Sequence, residues 1–213
     1  MSFLREFTPD RNYEARIIRD YLNDDWTVRH GPFSGMRFAP VPPPTSIATS
    51  ADAFLATMVI GCFESPLHNW INDAIAHGYD RILNLGCGEG YYAVGFALKS
   101  RNSTVYAYDI DQRAQENTAA LARLNRIEEK VCVRGLSTFD ELNHEVTTRT
   151  LIFCDIEGDE FDLLRPDVVP ALSRVDLIVE MHVSPTLLRA GFYVVTGLKS
   201  CTTALNIRRS SRF

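Results

Sequence analysis

Four side chains with acid–base capacity sit at the ends of two apolar runs late in the chain. Asp155 and Glu157 follow Thr150 to Cys154, and Glu180 and His182 finish the run from Val175. If the two runs are neighbouring strands, all four groups gather at one edge of a sheet. A histidine near neutral pH can take the proton from an oxygen or nitrogen nucleophile. Carboxylates can hold cationic or hydroxylic groups. The set is also oxygen-rich enough for a divalent ion, but nothing in its spacing demands one, and no metal is expected. The plainer role for His182 is capping or packing.

A second group lies earlier, around Ile82-Leu83-Asn84-Leu85-Gly86-Cys87-Gly88-Glu89-Gly90. An apolar run of strand length ends in glycines at alternate positions, and a helix-compatible stretch follows. Glycine allows a sharp strand-to-helix turn and a close approach of backbone to ligand. About 20 residues further on, Val105 to Tyr108 ends at Asp109, where a carboxylate can accept from both hydroxyls of a ribose. The plain alternative is a solvated strand-end Asp. A dinucleotide fingerprint would put a small residue at position 91 so that helix and strand pack closely. Tyr91 stands there instead, which argues against a nicotinamide or flavin dinucleotide.

These residues need a parallel sheet to position them. Strands are predicted over 81–85, 104–108, 130–134, 150–154 and 175–181. Helices are predicted over 90–99, from the cap Asp111 through Leu124, over 138–144 and around Phe161 to Leu164. A short helix over 185–190 and a hairpin pairing 192–196 with 204–208 complete the reading. Continuous apolar strands alternating with helices imply an α/β fold with helices on both faces. Ligands then bind beyond the carboxyl ends of the strands.

Upstream, 12–22 has helical spacing, Trp26 to Val28 and Met36 to Phe38 flank a Gly/Pro turn, and Pro40 to Pro44 reads as a stiff linker. Ser50 to Ile60 is a helix candidate, broken at Gly61. Ser65 is expected to cap the next helix, with Pro66 at its first position and Gly78 at its end. Residues 1–45 are therefore read as an N-terminal extension and 46–213 as the main domain. Trp26, Phe33, Met36, Phe38 and Trp70 could wall a substrate, although core packing suits each of them singly. Few residues follow Gly191, so acceptor recognition is expected to fall to the N-terminal region.

The 213 residues are 46% hydrophobic and 23% charged, with a formal charge of −5. An acidic balance without an aromatic-plus-basic pattern argues against nucleic acid as a partner. The basic cluster Arg208, Arg209 and Arg212 reads as a solvated end. Five scattered cysteines lack metal-ligand spacing. No apolar run approaches the length of a membrane span or a signal-peptide core. A cytoplasmic protein with a small-molecule substrate and no membrane partner is expected. The oligomeric state is open, a homodimer included.

The stretch Asn84 to Gly90, taken with Asp109, resembles the S-adenosylmethionine site of class I methyltransferases. Cys154-Asp155-Ile156-Glu157-Gly158-Asp159-Glu160, followed by Val179-Glu180-Met181-His182, is similar to the FkbM-type branch. The resemblance implies a Rossmann-like, mostly parallel sheet with a terminal antiparallel hairpin. It implies that Gly86, Cys87, Gly88 and Gly90 line the cofactor and that Asp109 holds the ribose. Ile110 would cover one adenine face, with Ser137 and Leu136 near the adenine edge. The acid common near that edge in many class I enzymes is absent here until Asp140. Asp155 corresponds to the family residue nearest the transferred methyl. Gly61 to Glu64 resembles an element that would bring Glu64 toward the cofactor's amino group, the alternative being a helix break with a solvated acid. Glu157, Glu180 and His182 would face the acceptor, with His182 as base and Asp155 and Glu180 beside it. The activity implied is methylation of a hydroxyl on a small, secondary-metabolite-like molecule in a biosynthetic setting. A peptide, protein or RNA acceptor, or a non-catalytic cofactor-binding subunit, are the alternatives.

Overall fold

The structure, a computed structural model, describes residues 17–39, 54–147, 149–181, 191–195 and 208–209. Contacts divide the chain into two units, Met1–Ser65 and Pro66–Phe213.

In the first unit, residues 17–21 are helical and Thr27 bridges Arg37 in antiparallel fashion. The turn between them carries Gly31 and Gly35 at φ 75° and 88°. Helix α1 (Leu55–Ile60) ends at Gly61 in the left-handed conformation. A Cβ at Gly61 would lie 2.1 Å from the His30 carbonyl oxygen, so this approach of turn to helix end requires glycine. Ile18, Trp26, Ala56 and Val59 form the core of the unit. Phe33 and Met36 are fully buried and Trp26 nearly so, which matches packing and leaves them no open face for a ligand. The proline-rich stretch lies outside the described residues.

Ser65–Leu67, at the sequence boundary of the two units, form a 3-10 turn, and α2 (His68–His77) of the second unit follows directly, without a side-chain cap. The expected cap at Ser65 is therefore corrected: Pro66 sits inside the 3-10 turn rather than at the first helical position. Gly78 ends α2 at φ 73°, as its sequence position implies.

The sheet has the order β3-β2-β1-β4-β5-β6-β7. Its parallel strands are β1 (Arg81–Leu85), β2 (Thr104–Tyr108), β3 (Val131–Arg134), β4 (Thr150–Cys154) and β5 (Asp176–Met181). Strands β6 (Gly191–Val195) and β7 (Arg208–Arg209) add at one edge, and each runs antiparallel to its inner neighbour. The helix expected over 185–190 lies outside the described residues. The connecting helices are α3 (Tyr91–Lys99), α4 (Gln112–Leu124), α5 (Phe139–Glu145) and α6 (Glu160–Leu163).

The apolar runs of β1, β2 and β4 are explained by burial on both faces. On one face Tyr92 stacks on Phe153 at 4.0 Å, beside Phe96. On the other, Leu83, Leu85, Tyr108, Leu142, Ile152 and Val169 pack together. Strand order reverses between β1 and β4, and such a reversal opens a crevice past the strand ends. Among the described residues no helix is long and apolar enough to cross a membrane.

A buried ion network anchors α5 to the sheet. Glu145 is 4% exposed and accepts from Arg81 at 2.7 Å, with Arg134 at 3.3 Å. Both guanidinium groups also lie over the Tyr106 ring, at 5.8 and 5.1 Å. Removing the acid would leave two neighbouring cations without it. Both are about one-third exposed and can recruit water, which softens the penalty. Glu145→Ala is expected to cost about 2–3 kcal/mol in urea unfolding. A loss below roughly 0.5 kcal/mol would place the network among ordinary surface pairs.

Candidate active site

Each wall of the crevice comes from the turn after one parallel strand. A cleft of about 560 Å3 opens there, within the range of about 300–1,000 Å3 typical of small-molecule and cofactor pockets. Gly86 follows β1, Asp109 and Ile110 follow β2, Gly135 to Ser137 follow β3, and Asp155 to Glu157 follow β4; all line the cleft. Phe139 of α5 and Asp162 and Leu163 of α6 complete it, with Asp159 and Tyr108.

The glycine loop is built by contacts on both sides. Gly86 has φ 76°, and a Cβ there would fall 1.7 Å from the Asp155 carbonyl oxygen. That carbonyl cannot retreat easily, because the Asp155 N–H donates to Leu85 O at 2.9 Å and continues the β1–β4 ladder. Gly90, at φ 85°, is pressed against Thr118 of α4, 2.9 Å from where its Cβ would be. Gly88, at φ 49°, faces open space. The three glycines therefore do different work: Gly86 lets two strand ends meet, Gly90 lets two helices meet, and Gly88 keeps a side chain out of the open space its Cα faces.

Asp109 ties this loop to the end of β2. Its Oδ2 accepts from Gly88 N–H at 2.9 Å, and its Oδ1 accepts from Asp111 N–H at 2.9 Å. Each oxygen keeps a further lone-pair direction for a bound hydroxyl. Asp111 caps α4 by accepting from Arg113 N–H, and Gln115 of α4 donates to the Asp109 carbonyl at 2.8 Å. At the mouth, Ile110 is 80% and Leu136 64% exposed. Two exposed apolar side chains at the cleft mouth suit a purine, one for its face and one for its edge, and a carboxylate with spare acceptor capacity suits a ribose. The residues present fit an adenosine-bearing cofactor. Ser137 is buried on the same wall, whereas Asp140 is exposed in the first turn of α5 and is not part of the lining.

Cys87 turns inward. It is 5% exposed, its Sγ lies 3.3 Å from the Thr118 hydroxyl, and burial pushes its thiol up to about 11. Only its backbone can serve a ligand. Cys154 is fully buried and its thiol is likewise raised by burial.

The acid–base group divides in the structure. Asp155 and Glu157 line the cleft. Glu180 is half-buried near the end of β5, one step past the Cys154–Val179 pair, and does not line it. His182 lies outside the described residues. Glu64 belongs to the first unit, where its φ is 45°. Among the described residues no group of three or more His, Cys, Asp or Glu side chains is arranged to hold a metal.

Several contributors went unnoticed in the sequence. Thr118 is fully buried, with its hydroxyl 3.3 Å from both Cys87 Sγ and Gly88 O. A polar residue on the stripe of Ala114 and Leu121 was the signal available. Phe139, Asp159 and Asp162 carried no pattern of their own.

Residues 68–179, just over half the chain, match the family model described as Ribosomal protein L11 methyltransferase (PrmA). The chain belongs to this family. Among solved structures, the chain resembles a methyltransferase from Geobacter sulfurreducens (18% identity, TM-score 0.41), covering 50% of this chain and 55% of that one. It therefore spans about half the length of that relative. It also resembles the O-methyltransferase TomG from Streptomyces achromogenes, involved in tomaymycin synthesis and solved with S-adenosylmethionine (13%, 0.44; 84% and 67% covered). A third is an O-methyltransferase from Bacillus cereus solved with S-adenosylhomocysteine (13%, 0.44; 82% and 68%). Among curated proteins none matches the chain.

Two outcomes follow for the loop. Gly86→Ala is expected to lose more than about 3 kcal/mol of stability, since strain at positive φ adds to a backbone clash. A near-normal melting temperature would mean that the β1 and β4 ends can separate. Iodoacetamide at pH 8 should label the exposed Cys62 in the native protein and spare Cys87 and Cys154, read by mass spectrometry of the intact chain and its peptides. Native labelling of Cys87 would reveal a loop that opens.

Proposed function

We propose that the chain, an S-adenosylmethionine-dependent methyltransferase by family, methylates a hydroxyl of a small molecule seated over the ends of β4 and β5. The observation that carries the reading is the reversal of strand order between β1 and β4, with Gly86, Asp109 and Asp155 converging on one cleft. S-adenosylmethionine, when bound, supplies an electrophilic methyl group on a sulfonium.

The protein's own part is to bind and to align. Asp109 accepts from the ribose hydroxyls, with its shape fixed by Gly88 and Asp111. Ile110 covers one face of the base, and Leu136 and Ser137 border its edge. Gly88 lets backbone approach the methionine end, while Gly86 and Gly90 set the loop's course. Asp155 stands nearest the reacting centre, and Glu157 and Glu180 orient the acceptor. His182 takes the hydroxyl proton as the new bond forms. Holding nucleophile and methyl in line accounts for several kcal/mol of barrier lowering. Glu64 approaching the cofactor's amino group, and the FkbM-type reading of Asp155 to Glu160, belong to this same proposal.

A second acceptor class is favoured by specific observations. The matched family is described by a protein substrate. Asp109, Asp155, Glu157, Asp159 and Asp162 line the cleft, and no Lys, Arg or His does so among the described residues. That field attracts ammonium groups and repels phosphate-bearing acceptors. An amine on a peptide or protein is therefore the alternative.

Radiolabelled methyl transfer separates these readings. The chain is incubated with labelled S-adenosylmethionine and either a panel of small hydroxylated compounds or ribosomal protein L11. Label in a small alcohol product supports the hydroxyl reading; label only in protein replaces it. Calorimetric binding of S-adenosylhomocysteine with no turnover on any acceptor would favour a non-catalytic subunit. His182→Ala is expected to slow transfer about 100-fold or more while cofactor affinity stays within about threefold. Asp109→Ala should weaken that affinity by about tenfold or more.

A further inference from the structure

Glu160 is an acid withdrawn almost wholly from the surface. It is the first residue of α6 and is 1% exposed, whereas glutamate is seldom buried without partners. Its Oε1 accepts the Gly158 N–H at 3.0 Å. The backbone it grips is contorted: Glu157 has φ 59° and Gly158 has φ 129°. The first value is uncommon for a residue with a side chain, and the second belongs to glycine. The left-handed conformation of Glu157 carries a cost that its surroundings must offset.

The ends of this turn are fixed. Before it, the Asp155 carbonyl is wedged against Gly86. After it, Leu163 and Leu164 donate to the Asp159 and Glu160 carbonyls and close the single turn of α6. The buried carboxylate acts between these points, and Glu157 and Asp159, on either side of Gly158, both line the cleft. Glu160 itself does not line it, so its influence on a ligand passes through the turn.

We propose that Glu160 is a positioning residue: by clamping the Gly158 N–H it holds residues 155–159 in the shape that presents Asp155, on the cofactor side, together with Glu157 and Asp159 to the cleft. The effect on cofactor rests on the S-adenosylmethionine reading above; the clamp itself does not. The sequence motif thus separates into Asp155 and Glu157, which meet the ligand, and Glu160, which sets their geometry from behind.

The test uses the full chain with Glu160→Ala and Glu160→Gln. Amide hydrogen exchange at Gly158 is read by NMR, and S-adenosylhomocysteine affinity by calorimetry well below the melting temperature. In Glu160→Ala, exchange at Gly158 should quicken and affinity should fall, each by about tenfold or more. Glu160→Gln keeps an amide oxygen to accept from Gly158, so it should restore affinity to within about threefold of wild type. Exchange at Gly158 equal in wild type and Glu160→Ala would overturn the clamp. A lowered melting temperature with unchanged affinity would overturn the positioning role and leave a merely structural acid. Absence of S-adenosylhomocysteine binding by the wild type, with faster exchange in Glu160→Ala, would sink the cofactor reading while upholding the clamp.

Discussion

The backbone contact between Gly86 and Asp155 is the constraint on which the site depends. Two central parallel strands, β1 and β4, end side by side where the strand order reverses. For the crevice to have a floor, their exits must part only after they have met, and the Asp155 carbonyl fills the space a Cβ at Gly86 would occupy. From that contact the glycine loop departs in one direction and the acidic turn in the other. The candidate cofactor and acceptor walls are therefore two exits from a single junction, and their relative placement is set by a backbone-to-backbone contact rather than by flexible side chains.

The loop's remaining order is supplied by α4. Asp109, Asp111, Gln115 and Thr118 make a continuous set of contacts from the end of β2 across the first two turns of that helix to the glycine backbone. A helix with an apolar stripe would pack on the sheet without them. The polar members are what convert packing into a defined loop shape, and they do so through backbone groups that every sequence possesses.

The parts of the fold governed by local rules were legible in the sequence. The central strands β1, β2 and β4 read directly, because burial on both faces demands largely apolar runs. The glycine loop and Asp109 read together, because positive φ, close approach and a strand-end acid coincide. The cap at Asp111 followed from residue type, whereas Thr138, read as the first helical residue, is the cap of α5. Ser65 misled, because a serine before proline signals a helix start equally well for 3-10 and α geometry. Thr118 was hidden by its place on an apolar stripe. Glu160 was visible as part of a motif, but a four-residue helix has too few turns to show which side faces inward, so its burial could not be read. The cleft's lateral walls at Phe139 and Asp162 depend on how α5 and α6 dock, which no local pattern records.

The two helical walls of the cleft differ in how firmly they are held. Helix α5 is fixed at its start by the reciprocal Thr138–Glu141 capping box and at its end by Glu145 on two arginines. The α6 side is one helical turn after a loop with two positive φ values, with the Glu160 carboxylate holding the Gly158 N–H. Divergence among relatives that keep this architecture is therefore expected to concentrate on the α6 side. Redesign of acceptor choice has the same natural address: residues 156–163 can be rewritten around a retained Gly158–Glu160 clamp, while the wall from Gly135 to Glu145 serves as the fixed reference against which a new acceptor is seated.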